Sequence, residues 1–227
     1  MNGISEVSTY PVTPQDRMNY LLGLYSAVQQ IGMVLHFPSR LDLDLLTLAI
    51  KLSIKKNPVL GCRYVDDDLP RWEALPSDAA KSILTVSIVS EEESTALIQS
   101  YLAQPMAWRD GPMVEARLFR TDKDCLCLKI SHLCSDGTGV KEYTQLLASL
   151  YTRLLQGESY EAIEQDLLKS DGGFRDQAPL FTAAGISEPA SFEPQSSGDS
   201  ASSGPSLRRV RAIRVRLSRF ERWAGMG

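Results

Sequence analysis

The chain has 227 residues, of which 43% are hydrophobic and 23% charged, and its formal net charge is -4. This composition is typical of a globular protein with one substantial core, and the acidic balance argues against nucleic acid as the main partner. No apolar run approaches the ~20 residues of a membrane-spanning helix, and the N-terminus lacks the features of a signal peptide. The sequence therefore predicts a cytoplasmic protein whose four cysteines are reduced thiols.

The first third of the chain predicts a helix, a strand, a helix and a strand. A short helix is expected within residues 10–30, followed by a strand at Gly32–Phe37. Asp42 or Asp44 can cap the next helix, which carries an apolar stripe and closes before Pro58. Val59–Val65 then predicts a short strand, which an acidic turn ends.

The middle of the chain predicts a strand, a helix and a hairpin. Ile83–Val89 is typical of a strand, and Ser90 with Glu93 forms a capping box for a helix through about residue 102. Met113–Phe119 and Cys125–Ser131 alternate as two strands of a hairpin joined by a polar turn. The strongest predicted helix follows, with one apolar face formed by Val140, Tyr143, Leu146, Leu147, Leu150, Tyr151 and Leu154.

Composition divides the chain into three parts. Residues 1–170 have the pattern of a folded unit, whereas residues 171–206 are rich in Ser, Pro and Gly and predict a flexible linker. Residues 207–227 predict an arginine-rich strand. Because the rest of the chain is acidic, we interpret these arginines as the solvated side of a strand whose partner surface is missing, not as a nucleic-acid site.

His132 is the main candidate for chemistry. Residues two apart on a strand share a face, so His132 ends an apolar row formed by Leu126, Leu128 and Ile130. Partial burial without a neighbouring carboxylate would lower its pKa, and a neutral imidazole can act as a general base towards a hydroxyl or amine. The alternative is a packed or solvated histidine without a catalytic role, which is the commoner case.

Two residues after His132 are expected to shape the loop that follows the strand. Asp136 lies at the predicted helix start, where a carboxylate can cap free N–H groups, so it is predicted to hold the loop and not to touch substrate. Gly137 is expected to adopt backbone angles that are closed to other residues.

The cysteines near His132 do not predict a metal site. Cys125 and Cys127 should face away from His132, and their spacing is not that of zinc ligands. Cys134 is predicted to be a small packed thiol and not a nucleophile.

The segment Ser131–Gly137 (SHLCSDG) resembles the HxxxDG motif of the chloramphenicol-acetyltransferase-like superfamily. That superfamily includes the condensation domains of peptide synthetases, plant-type acyltransferases and polyketide-associated acyltransferases. Further landmarks of the resemblance, which covers about residues 8–160, are Pro11–Pro14, Asp16-Arg17, Leu41-Asp42, Asn57–Leu60, Arg63-Tyr64 and Gly111–Met113. The resemblance implies an α/β two-layer sandwich, in which a mixed β-sheet carries helices on one face.

The resemblance also implies roles for single residues. His132 would deprotonate a hydroxyl or amine as it attacks a thioester, while main-chain N–H groups after His132 could help hold the oxyanion. Asp136 would be structural and paired with an arginine, for which Arg63 is our hypothesis and Arg117 the competitor; Gly137 would form the turn. Ser131 stands where peptide-synthetase condensation domains commonly have a second histidine, which tilts the interpretation towards stand-alone acyltransferases.

The length of the chain qualifies the predicted function. In the long members of this superfamily the active site lies between two halves, and here the motif has its first-half position, while residues 207–227 resemble the opening of a second half. We therefore expect an acyltransferase that is incomplete as a single chain. It would use acyl-CoA or a carrier-protein thioester as co-substrate, without a bound cofactor or metal, and would contact a second-half partner or self-associate through exposed apolar surface. The alternative is a non-catalytic module that binds a carrier protein or another partner.

Overall fold

The computed structural model describes residues 7–25, 29–76 and 83–169, together with the backbone of residues 213 and 214. The helices are α1 (Pro14–Tyr25), α2 (Leu43–Lys56), α3 (Glu91–Ala103), α4 (Gly137–Leu155) and α5 (Tyr160–Lys169), with a short 3-10 helix at Pro58–Gly61. The strands are β1 (Thr9–Pro11), β2 (Gln30–Phe37), β3 (Cys62–Val65), β4 (Arg71–Ala74), β5 (Leu84–Ile88), β6 (Val114–Arg120), β7 (Asp124–Ser131) and β8 (Ile213–Arg214).

A mixed sheet of five strands forms the centre of the fold, in the order β5-β6-β7-β2-β8. β7 pairs antiparallel with both β6 and β2, whereas β5 and β8 are parallel to their neighbours. One face of the sheet packs against α2 and α4, and the row Leu126, Leu128 and Ile130 lies in this core as predicted. The predicted mixed α/β sandwich is therefore confirmed.

The opposite face of the sheet is covered by α3. Tyr101 and Leu102 of α3 pack against Val34, Phe119, Cys125 and Cys127 in a second apolar cluster. The predicted confinement of the helices to one face is thus corrected. The physical reason is that both faces of β7 carry side chains that avoid water, and all eight of its residues are buried.

A small antiparallel sheet, in the order β1-β4-β3, lies beside the central sheet and was not predicted. Its fully buried Trp72 donates its indole N–H to a carboxylate oxygen of Asp16 at 3.1 Å, and the same oxygen accepts the N–H of Thr13 at 3.1 Å. Asp16 therefore joins the first turn of α1 to β4.

The predicted strand at Val59–Val65 is confirmed only for its second part, Cys62–Val65, because the chain forms a 3-10 helix at Pro58–Gly61. The strands β2 and β5, the β6–β7 hairpin and the helices capped by Asp42, Ser90 and Asp136 are confirmed. The predicted linker at 171–206 lies outside the described residues, as does the arginine-rich stretch 207–227 apart from β8. None of the described helices combines the length and apolar character needed to cross a bilayer.

Candidate active site at the end of β7

The backbone at the end of β7 is fixed on both sides, by the residues that immediately precede β6 and β2. Ser131, the last residue of β7, donates its N–H to the carbonyl of Met113 at 2.8 Å on the β6 side. His132 donates its N–H to the carbonyl of Gln29 at 2.8 Å on the β2 side. The sheet thus holds the chain in place up to the candidate base.

The turn after β7 is closed by hydrogen bonds of its own. The N–H of Leu133, a fully buried residue, donates to Ser131 Oγ at 3.3 Å, and the N–H of Cys134 donates to the Ser131 carbonyl at 3.4 Å. Both groups are therefore engaged within the turn. The N–H groups after His132 were predicted to help hold an oxyanion, but those of Leu133 and Cys134 already donate to Ser131.

Helix α1 contacts this turn from outside the sheet. Asn19 donates its side-chain amide Nδ2 to the carbonyl of His132 at 3.1 Å and to that of Leu133 at 3.3 Å. The sequence did not indicate Asn19, because a polar residue in a short helix carries no sign of a bond to a residue 113 positions away.

The side chain of His132 is exposed. The partial burial predicted for it is wrong for this chain, since the described residues do not cover it. Two cavities of about 330 and 30 Å³ have other linings, so neither contacts His132. The wall of the larger one includes Pro112, which precedes β6 at the same end of the sheet as His132.

Asp136 caps α4, as predicted: its Oδ1 accepts the N–H of Gly139 at 2.8 Å. The predicted pair between Arg63 and Asp136 is wrong, because Arg63 lies directly opposite Glu73 in the small sheet and contacts that carboxylate at 2.6 Å. The competing candidate, Arg117, donates to Thr85 Oγ1 at 3.1 Å and stands over the ring of Tyr101.

Gly137 does not have the predicted special backbone. It begins α4 without a left-handed φ, and a Cβ added to it would meet no atom within 4 Å. Close approach occurs at Gly139 instead, where a Cβ would come within 2.5 Å of Ser135 Oγ. Neither backbone strain nor crowding among the described residues therefore requires glycine at position 137.

The four cysteines, all in the described part of the chain, are buried thiols outside any disulfide. Cys125 and Cys127 lie on the α3 face, while Cys134 belongs to the main core. Burial raises the pKa of Cys62 to about 12, which keeps that thiol protonated at neutral pH. Among the described residues, no three side chains of metal-ligating type come together.

Comparison with known proteins gives a consistent result. The sequence profile of the Condensation domain family matches residues 7–167. The hybrid PKS-NRPS synthetase pyvA of Aspergillus violaceofuscus is 27% identical over 142 residues, which are 59% of this chain and 4% of that protein. The family match does not support the tilt towards stand-alone acyltransferases that Ser131 suggested.

Solved structures of synthetase domains share the fold. The starter condensation domain of rhizomide synthetase RzmA gives a TM-score of 0.54 at 19% identity, over 80% of this chain and 49% of that one. The first condensation domain of the CDA synthetase gives 0.56 at 19% identity, over 67% and 41%. The epimerization domain of the third module of tyrocidine synthetase B gives 0.56 at 19% identity, over 68% and 36%. The chain thus spans half or less of these solved domains.

Proposed function

Because the chain belongs to the condensation-domain family, we propose that it is the His-bearing half of an acyltransferase that acts on thioesters. In the proposed reaction His132 takes the proton of an amine or alcohol as that nucleophile adds to the thioester carbonyl. A C–N or C–O bond forms, the C–S bond breaks, and the proton is passed to the departing thiolate. The acyl donor is acyl-CoA or an acylated carrier protein, and no covalent intermediate on the protein is needed.

One observation carries the proposal: the main chain of His132 donates a hydrogen bond to Gln29, just before β2, and accepts one from Asn19 of α1, while its side chain is exposed. A general base needs a fixed main chain and an imidazole that substrate can reach. The buried carboxylates of Asp16 and Asp124, by contrast, are occupied by structural hydrogen bonds.

The proposed reaction also needs a second half. Five large apolar side chains of α1 are exposed, and this helix is the one that contacts the His132 turn: Met18, Leu21, Leu22, Leu24 and Tyr25. An exposed apolar patch of this kind is typical of an interaction surface. Since the chain spans 49% of the rhizomide starter domain, we propose that a second-half partner covers α1 and completes a cleft over His132.

The test is a comparison of two histidine variants. The chain contains two histidines, and His36 is exposed on β2, where its register partner is Cys125. At ~3.4 Å per residue, His36 therefore lies roughly 24 Å along the sheet from His132. Thiol release from acyl-CoA and from an acylated carrier protein would be measured against a panel of amines and alcohols. The chain would be combined with the second half of a solved relative.

We expect His132→Ala to lower the rate of thiol release by about 10²- to 10⁴-fold, which is the contribution typical of a general base. His36→Ala should leave the rate unchanged. Activity that survives His132→Ala would show that the base is assigned to the wrong residue.

A second candidate function is a non-catalytic module that binds an acylated carrier protein. The exposure of His132 and the half-length of the chain favour it. It predicts saturable binding of the carrier protein without thiol release, whether or not a second half is present. It also predicts that His132→Ala leaves that binding unchanged.

A further inference from the structure

We propose that Asn19 is the positioning residue for His132, acting through the two carbonyls that its side-chain amide holds. The inference deepens the proposed function and rests on it, because positioning matters only if His132 does chemistry. Nδ2 of Asn19 lies 3.1 Å from the His132 carbonyl and 3.3 Å from the Leu133 carbonyl. A side-chain amide has two N–H donors, so both can be used at once.

The orientation of the Asn19 amide is itself fixed. Gln15 lies one turn earlier on α1 and donates its Nε2 to Asn19 Oδ1 at 3.0 Å. With Oδ1 engaged by a donor, the NH₂ group of Asn19 is the end that faces the two carbonyls. The pair Gln15–Asn19 thus presents donors, and not acceptors, to the His132 turn.

Helix α1 is attached to the fold by side chains that reach separate partners, among them Asn19 and Tyr20, whose ring stacks on that of Tyr64 with centroids 4.5 Å apart. Asp16 and Gly23 are its buried residues. Asp16 fastens the first turn of α1 to Trp72, and Asn19, three residues later, fastens the helix to the His132 turn. The placement of His132 is therefore coupled to the placement of α1, whose apolar side chains form the proposed contact with the second half.

Two substitutions separate positioning by donation from a simple role in packing. Asn19→Asp keeps the shape of the side chain but turns an acceptor towards two carbonyl oxygens, whereas Asn19→Ala leaves those carbonyls to water. If Asn19 positions His132 by donating hydrogen bonds, Asn19→Asp should disturb the His132 turn more than Asn19→Ala does. If Asn19 acts only by packing, Asn19→Ala should disturb the turn more, and Asn19→Asp should behave almost like the native protein.

The measurement is hydrogen exchange of the His132 amide, with the His132 ring signal in NMR spectra as a second probe. Because His36 is the other histidine, a His36→Ala background leaves one imidazole to follow. We expect the protection of the His132 amide to fall by about five- to tenfold in Asn19→Ala, the effect of one lost hydrogen bond, and further in Asn19→Asp. Gln15→Ala, which frees the amide without removing it, should move protection in the same direction by a smaller factor.

Native-like protection of the His132 amide in Asn19→Asp would overturn the proposal. If Asn19→Asp fails to fold, the test relies on Asn19→Ala and Gln15→Ala. Unchanged protection of the His132 amide in both of these variants would overturn the proposal. With the second half present, Asn19→Asp should lower kcat more than it changes KM, since the base and not substrate binding is disturbed. If His132→Ala keeps full activity, the proposed function fails, while the exchange data still decide whether Asn19 holds the turn.

Discussion

The two ends of β7 use ionisable residues in opposite ways. At its start, the side chain of Asp124 is fully buried and accepts hydrogen bonds from Arg120 Nε at 2.9 Å, Arg120 Nη2 at 2.7 Å and the N–H of Leu41 at 2.7 Å. At its end, roughly 27 Å away at ~3.4 Å per residue, His132 is exposed, and its contacts with other described residues are made through its backbone.

This difference separates an ion pair that supports the fold from an ionisable side chain that a substrate can reach. The hydrogen bonds to Asp124 raise the pKa of Arg120, so the guanidinium stays charged, and the pair fastens the hairpin to the start of α2. The His132 end fixes main-chain atoms and leaves the imidazole exposed, as the proposed role of general base requires. An ionisable side chain satisfied on every side supports architecture, whereas one whose backbone alone is fixed can meet a substrate.

The largest expected effect comes from breaking the buried pair at the start of β7. Asp124→Asn removes the charge while Arg120 stays largely buried, with 16% of its side chain exposed. We expect the free energy of unfolding to fall by about 3 to 5 kcal/mol, the usual cost of leaving a buried charge without its partner. Urea denaturation would measure it. The control is Asp122→Asn in the exposed turn, which should change stability by less than about 0.5 kcal/mol. A loss below about 1 kcal/mol in Asp124→Asn would remove the contrast between the two ends.

A smaller effect is expected at Asp136, whose described role is to cap α4. Asp136→Ala leaves the N–H of Gly139 without its acceptor and should lower the free energy of unfolding by about 1 kcal/mol. Asp136→Asn is the matched control, because an amide oxygen caps equally well. Thermal and urea denaturation of both variants would check this. If Asn costs as much as Ala, the charge of Asp136 matters, and a partner beyond the described residues has to be sought.

Local patterns in the sequence were sufficient for most of the central sheet. The alternation of Leu126, Leu128 and Ile130 predicted the buried face of β7, and the caps of three helices could be predicted because capping depends on neighbours within four residues. What failed was the choice of distant partners. Arg63 pairs with Glu73 because a cross-strand register places them opposite each other, and the four-residue strand β4 was not visible before that register was known.

The burial of His132 could not be predicted from this sequence for a different reason. Exposure depends on what covers a residue, and the chain spans about half of the solved domains it resembles. The contact from Asn19 was invisible as well, since a bond between residues 113 apart needs the tertiary fold. The sequence did indicate the place of the candidate base, at the point where β7 ends, but not its surroundings.

The smallest change in stability is expected at Gly137, and it tests whether the open space beside this residue is used. Gly137→Ala adds a methyl group that meets no described atom within 4 Å and replaces glycine in the first turn of α4, so stability should rise by up to about 0.5 kcal/mol. Gly139→Ala is the contrasting control, because its methyl group would come within 2.5 Å of Ser135 Oγ. That hydroxyl would have to rotate away from the Asp136 carbonyl, so the gain in stability should be smaller than in Gly137→Ala. If the second half or a bound substrate needs the open space beside Gly137, thiol release by the completed enzyme should fall in Gly137→Ala although the fold is no weaker. Full activity in a stabilised Gly137→Ala variant would instead mean that the motif glycine serves neither the backbone nor the proposed cleft.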